Sequence, residues 1–208
     1  MRAGGHVVLS GGSTPRAAYE RLASLELDWP QATLWFGDER CVPPDDERSN
    51  YRLVREAILD RLAGPPPVVR RIQGELGPEE ASDLYERELR AELGQEVPRL
   101  DFVLLGIGPD AHCASLFPNQ RTLEEHERAV VGVDEAGMPP FVRRVTLTLP
   151  AINAAREVVF LVAGDDKAEA VARAFADPDP SAPASLVAPS PGSLTWLLDP
   201  AAAAKLER

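Results

Sequence analysis

The chain has 208 residues, 44% of them hydrophobic, and a formal net charge of −11. That length and apolar content can bury a sizeable core without disulfide or metal staples, so one compact domain over 1–208 is expected. The negative balance repels nucleic acid and anionic membrane and excludes a general polyanion binder, although a few converging basic groups can still hold a small anion.

No apolar run approaches the roughly 20 residues that a membrane helix requires, and the opening MRAGGHVVLSGG has no apolar signal core followed by a cleavage site. The expected location is cytoplasmic. Cys41 and Cys113 lie far apart with no CxxC spacing. They suggest neither a zinc site nor a disulfide framework, and both read as reduced residues in or near the core.

In chain order, HVVLS (6–10) is a β-branched run expected to form a strand, and TPRAAYERLASL (14–25) places Ala18, Leu22 and Leu25 on one helical face. ATLWFGD (32–38) reads as a second strand. SNYRLVREAILDRLAG (49–64) reads as a capped helix that ends at a glycine before three prolines. VVRRIQG (68–74) suggests a short strand and PEEASDLYERELRAEL (78–93) a helix with proline in its first turn. DFVLLGIG (101–108), AVVGV (129–133), RRVTLTL (143–149) and EVVFLVAG (157–164) continue as strands. The helix DDKAEAVARAFA (165–176) and the strand SLTWLLD (193–199) close the series. Strands alternating with helices predict an α/β fold with a mostly parallel sheet and helices on both faces.

In such sheets ligands bind beyond the carboxyl ends of the strands, so the residues after each strand carry the functional information. LSGGSTPRAAYERL (9–22) combines Gly11 and Gly12, which permit a sharp turn, with Ser13 or Thr14 as the cap of a helix carrying Pro15 in its first turn. Free amides at such an end attract phosphate; the plain alternative is a well-made cap with no ligand. No GK[ST] follows and GxGxxG spacing is absent, which argues against a nucleotide. Asp38, Glu39 and Arg40 follow the second strand. They read either as a solvated charge cluster or, for Arg40, as a guanidinium closing on the same phosphate.

GIGPDAHCAS (106–115) leaves the strand FVLL through Gly106 and Gly108 and is expected to open a helix at AHCASLF, with His112 at the mouth of the crevice. A neutral imidazole there can act as a general base near neutral pH, whereas the alternative is a histidine that merely caps a turn. Asp110, two residues away, can hydrogen-bond loop amides or the imidazole. Arg143 and Arg144 begin a strand. Lys167 lies near a helix start, where the dipole disfavours a cation unless an anion is close. Each reads singly as solvated, and together they supply basic groups for an anionic ligand. His6, at the front of the first strand, and His126, in the charged LEEHER segment, are expected bystanders.

The ordered set LSGGSTP (9–15), WFGDERCVPPDDERSNYRLV (35–54), FVLLGIGPDAHCASLFP (102–118), RVTLTLPAINAAREVVFLVAGDDKAEAV (144–171) and PASLVAPSPGSLTWLLDPAAAAKL (183–206) resembles the 6-phosphogluconolactonase family. The resemblance implies a Rossmann-like three-layer fold shared with glucosamine-6-phosphate deaminase and ribose-5-phosphate isomerase. It also implies hydrolysis of 6-phospho-D-glucono-1,5-lactone in the oxidative pentose phosphate pathway, without cofactor or metal. His112 is then the catalytic base, with Asp110 beside it. Gly11, Gly12, Ser13, Thr14 and Arg40 form the phosphate grip, with Arg144 and Lys167 as further ligands. The implied partner is a small sugar phosphate, and the expected assembly is a monomer or weak homo-oligomer.

Two departures stand out. The family pattern DGHT becomes Asp110, Ala111, His112 and Cys113 here, so a positive φ at Ala111 would be strained. Relatives also carry a helical segment before the first strand that this chain is expected to lack. Two rival readings are an amino-sugar-phosphate deaminase, which carries an acid where this chain has SLFPNQ (115–120), and a non-catalytic sugar-phosphate sensor, which needs a DNA-binding segment not visible here.

Overall fold

The computed structural model describes residues 5–94 and 97–206. Six strands form the larger sheet, in the order β4-β2-β1-β5-β8-β9. They are β1 (Gly5–Leu9), β2 (Ala32–Phe36), β4 (Val68–Val69), β5 (Phe102–Leu105), β8 (Glu157–Val162) and β9 (Ser193–Leu198), and every neighbouring pair is parallel. The helices are α1 (Ser13–Leu22), α2 (Asn50–Ala57), α3 (Pro78–Leu93), α4 (Leu149–Asn153) and α5 (Ala168–Ala174). Residues such as Val8, Trp35, Phe36, Val103, Leu105, Val158 and Phe160 are fully buried, as apolar strands covered on both faces must be.

A second, three-stranded antiparallel sheet was not expected. It joins β3 (Asp38–Arg40), β7 (Arg144–Leu147) and β6 (Val130–Val133) in the order β3-β7-β6. The single strand anticipated over 32–38 is therefore two. Gly37 donates its amide to the Leu9 carbonyl and accepts from the Leu147 amide, so the chain changes sheets at that residue.

Other boundaries are shorter than periodicity suggested. The helix expected over 49–64 ends at Ala57, because Ile58 takes φ −121°, and a short 3-10 turn follows at Leu59–Arg61. The strand expected over 68–74 is two residues long, and α4 was not anticipated. The helix expected from 111 onward does not form: residues 108–117 make turns and an isolated Cys113–Leu116 bridge. Ala111 at φ 68° and Ala114 at φ 49° lie in the left-handed region, which right-handed helix cannot accommodate.

Two buried tyrosines secure strand exits that would otherwise leave backbone groups unpaired. Tyr19 donates to the Ser10 carbonyl and accepts from its amide, at 2.8 and 2.9 Å. Tyr85 does the same for Phe36, at 3.0 and 2.7 Å. Burial pushes both phenols above their ordinary pKa, so each remains a donor at any physiological pH.

The strand order places the crevice. From β1 the chain winds to β2 on one side, whereas β5 pairs with β1 on the other. The segments after β1 and β5 consequently splay apart at a topological switch point. At the far edge of the sheet, β9 presents its outer side with Leu197 half exposed.

Candidate active site

The first wall follows β1. Gly11 passes so close to α2 that an added Cβ would lie 2.0 Å from Asn50 Oδ1. The cap of α1 is Gly12, at φ 111°, rather than the expected Ser13 or Thr14, and no side chain caps the helix. The first intrahelical bond runs from the Arg16 amide to the Gly12 carbonyl. The Ser13 and Thr14 amides precede it, Pro15 has none, and the helix end offers partial positive charge to an anion.

The second wall is the small sheet. Arg40 and Arg144 are directly opposite across the β3–β7 pair, an arrangement of like charges that ordinarily destabilises a sheet. Arg144 is 2% exposed. Burial is the main cause of its lowered pKa; Asp38 opposes that effect and Arg40 adds to it. A guanidinium stays charged regardless. One Arg144 Nη donates to the carbonyls of Met138 and Pro140, at 2.9 and 3.1 Å, and the other stands 3.9 Å from Asp38 Oδ2. Arg40 Nη1 donates to the Arg48 carbonyl at 2.5 Å. The Nε atoms of both arginines are buried with no hydrogen-bond partner among the described residues. Two opposed cations with unused donors can hold an anion.

Asp38 and Glu39 are buried, not the solvated cluster that their spacing also allowed. Glu39 accepts from the amides of Arg40, Asn50 and Tyr51 and from the Ser49 hydroxyl, locking the start of α2 to β3. Burial nonetheless holds its pKa above the ordinary carboxylate value. Asp38 accepts from Ser115 Oγ at 2.6 Å and Asn50 Nδ2 at 3.1 Å.

The third wall follows β5. Its turn closes through the Gly108 amide on the His112 carbonyl and the Ala111 amide on the Gly108 carbonyl, each at 2.9 Å. Residue 108 must lack a side chain, since a Cβ there would meet His112 Nδ1 at 2.0 Å. Asp110 Oδ1 lies 2.5 Å from His112 Nδ1 and also accepts from the His112 amide at 3.2 Å. Burial acts to raise the Asp110 pKa, but the hydrogen bonds and charge of His112 outweigh it and the net shift is downward. An ionised carboxylate only accepts, so Nδ1 carries the hydrogen and Nε2 is left as the basic nitrogen of the neutral ring. Phe117, fully buried, has its ring centre 4.7 Å from that of the imidazole and 5.3 Å from the Arg144 guanidinium carbon.

These walls enclose a cavity of about 200 Å³. Gly11, Gly12, Ser13, Thr14, Arg40, Arg144, Lys167 and His112 all line it, and Asp110 reaches it through His112. Lys167 is joined to Asp166 at 3.1 Å. Arg143, next to Arg144, does not line the cavity. His6 accepts from Trp35 Nε1 at the opposite end of β1, and His126 is exposed on the surface. Asn50 and Ser10 also line the cavity and were not singled out from sequence, and Asp38, read there only as part of a charge cluster, lines it too. For Asn50 the available signal was its place in SNYRLV, at the cap of a helix beginning beside GDER. Both cysteines are free thiols. Among the described residues, no three His, Cys, Asp or Glu side chains gather as a metal site, and no helix is long and apolar enough to cross a membrane.

Fold and site together define an α/β protein with a cationic, histidine-bearing cleft at the switch point of its sheet. The chain belongs to the family of glucosamine-6-phosphate isomerases and 6-phosphogluconolactonases, whose model matches residues 2–196. It is 40% identical over 206 residues to a 6-phosphogluconolactonase of Nostoc, covering 96% of this chain and 84% of that one. The human 6-phosphogluconolactonase is 43% identical over 202 residues, covering 94% and 78%. Among solved structures, the Trypanosoma brucei 6-phosphogluconolactonase superposes with a TM-score of 0.86 at 30% identity, over 98% of this chain and 87% of that one. A monomeric glucosamine-6-phosphate deaminase, at 24% identity and a TM-score of 0.79, shares the fold.

Proposed function

We propose that this chain hydrolyses 6-phospho-D-glucono-1,5-lactone to 6-phospho-D-gluconate, the lactone-opening step of the oxidative pentose phosphate pathway, with His112 as general base and no metal ion. The observation that carries this reading is the His112–Asp110 pair, 2.5 Å apart, in the same cavity as the opposed Arg40 and Arg144. Identity of about 40% to lactonases over most of the chain supports the substrate.

The chemistry asks little of the protein. A lactone is an activated ester, so catalysis needs a placed water, removal of its proton during attack on C1, and stabilisation of the resulting oxyanion. His112 Nε2 takes that proton. Asp110 stabilises the imidazolium through Nδ1, and the imidazolium returns the proton to the departing ring oxygen as the tetrahedral intermediate collapses. Arg40, Arg144, Lys167 and the Ser13 and Thr14 amides hold the phosphate, which fixes C1 against the water. As proposed, the chain works in the cytoplasm as a monomer or weak homo-oligomer, with this small anion as its substrate and neither nucleic acid nor membrane as a partner.

The test is a continuous assay of lactone loss with freshly generated substrate, corrected for the spontaneous rate. Activity is expected to survive prolonged chelation; a loss restored only by a divalent ion would overturn the metal-free mechanism. Binding of phosphosugar without accelerated lactone loss would turn the reading into a sensor.

A further inference from the structure

The turn that carries the base is strained and is held from behind. Ala111 adopts φ 68° while fully buried, a conformation that glycine tolerates and alanine does not favour. The turn's own hydrogen bonds, Gly108 to His112 and Ala111 to Gly108, are made in that conformation. Two contacts reach the turn from elsewhere in the chain, and the first is anchored in turn to Ser181. Arg173, on α5, donates through Nη1 to the Asp110 carbonyl at 3.3 Å. Its Nη2 holds the Ser181 carbonyl and the Ser181 hydroxyl, the latter at 3.2 Å. The Ala184 amide donates to the Ala111 carbonyl at 3.0 Å.

The segment supplying these contacts is itself braced. Asp179 accepts from the Ser181 amide at 2.8 Å and the Ser181 hydroxyl at 2.6 Å, and its carbonyl accepts from the Ala182 amide at 2.8 Å. The Pro180 carbonyl accepts from the Asn119 amide, so the segment also grips the far end of the same loop. Arg173 thus joins two carbonyls of different segments, one of them belonging to the residue that fixes the His112 ring.

We infer that Arg173 is a positioning residue for the reaction: by tying the Asp110 carbonyl to the Ser181 segment, it holds the turn in the conformation that keeps Asp110 under His112 despite alanine at 111. The inference rests on His112 being the base. An unclamped turn relaxes toward negative φ at Ala111, which rotates the Asp110–Ala111 peptide and draws the carboxylate from Nδ1. Arg40, Arg144 and the Ser13 and Thr14 amides of the phosphate grip stand on β3, β7 and the start of α1, away from the turn, and only Lys167 lies next to α5. A basic residue near the end of α5 also has a purely local role, offsetting the helix dipole, and that role would leave the site untouched.

The experiment compares parent, Arg173→Met, Ala111→Gly and the double variant, with Arg173→Lys as a second probe that keeps the charge at the end of α5. Arg173→Met is expected to lower kcat by about 10- to 100-fold, the range for a small misplacement of a catalytic group, with the inhibition constant of inorganic phosphate changed less than about twofold. The pH midpoint of kcat/KM should move to lower pH, since an imidazolium that loses its carboxylate neighbour is less stabilised. Asp38, Arg40, Arg144 and Lys167, the other charged groups lining the cavity, are common to all variants. In the Ala111→Gly background the loss from Arg173→Met should shrink by about threefold or more, because glycine holds the turn without the clamp.

Equal losses in both backgrounds overturn the inference, as does a parental kcat in Arg173→Met. Thermal melting and phosphate inhibition identify a variant that has merely unfolded; parental kcat in a stable Arg173→Lys with an unchanged pH midpoint likewise overturns it. His112→Ala is run alongside. If that variant keeps its turnover the base assignment fails, whereas an inactive His112→Ala beside a fully active Arg173→Met defeats only the clamp.

Discussion

His112 offers one ring nitrogen to Asp110, and the proposed mechanism gives the other to water, so its removal should separate chemistry from binding. His112→Ala is expected to fold, to bind inorganic phosphate as the parent does, and to lose about 10²–10⁴ of the catalysed rate. Asparagine at 112 should do no better, since an amide cannot take a proton from water at neutral pH. A folded His112→Ala with near-parental turnover would place the base elsewhere. Asp110 can be read through stability. Its pKa lies below the ordinary 3.8, so its stabilising contribution is fully present above that value and is lost as acid takes the pH down through the folded value. Asp110→Asn should therefore lose less stability than the parent when urea midpoints are compared between about pH 4.5 and pH 2.5. Parallel declines would show that this carboxylate does not contribute.

Gly11 joins α1 to α2, because a side chain there would land on Asn50, which in turn holds Asp38. Gly11→Ala is expected to push Asn50 off Asp38, raise KM for the lactone, and cost about 1–3 kcal/mol of stability by overpacking. Unchanged KM and melting temperature would mean that the Asn50 side chain swings away freely. The chain order of strands and helices was legible because β-branched runs and helical periodicity are local properties. The loops at 9–15 and 106–115 were legible because glycine, a helix start and a polar residue after a strand mark a switch-point site wherever they occur. The antiparallel sheet was not, since only the hydrogen bonds of Gly37 to Leu9 and Leu147 show that 38–40 leave the sheet of 32–36. Apolar content in β6 and β7 is the same whichever sheet they join. The helix expected after Gly108 failed for a reason invisible in composition, the positive φ at Ala111 and Ala114. Asn50 was passed over and Asp38 was read as part of a solvated cluster because burial, not residue type, is what turns a charged turn into a site wall.

At the scale of the molecule, the cleft lies between two sheets that share no strand, and the phosphate proposed to bind Arg40, Arg144 and the start of α1 would bridge them. Saturation at 100 times the dissociation constant adds about 2.7 kcal/mol, so phosphate should raise the melting temperature of a chain this size by about 5–10 °C. Arg40→Ala removes a charge-assisted contact worth about 1.5–3 kcal/mol and should raise the phosphate inhibition constant by about 10- to 100-fold. Most of the thermal shift at a given phosphate concentration should vanish with it. An unchanged inhibition constant would return Arg40 to the class of solvated turn charges.

The outer side of β9 bears on how copies of the chain meet. β4, the opposite margin, is two residues long and gives an approaching strand little to follow. β9 runs for six residues, SLTWLL, with no charge or proline inside it and Leu194 and Leu197 turned partly to water. Natural sheets blunt such a margin with lysine, proline or a bulge, and none stands in this strand. Eleven surplus negative charges set copies of the chain against one another, a long-range repulsion that salt shortens and acid removes, so association along this margin is expected to rise with salt and toward acid pH.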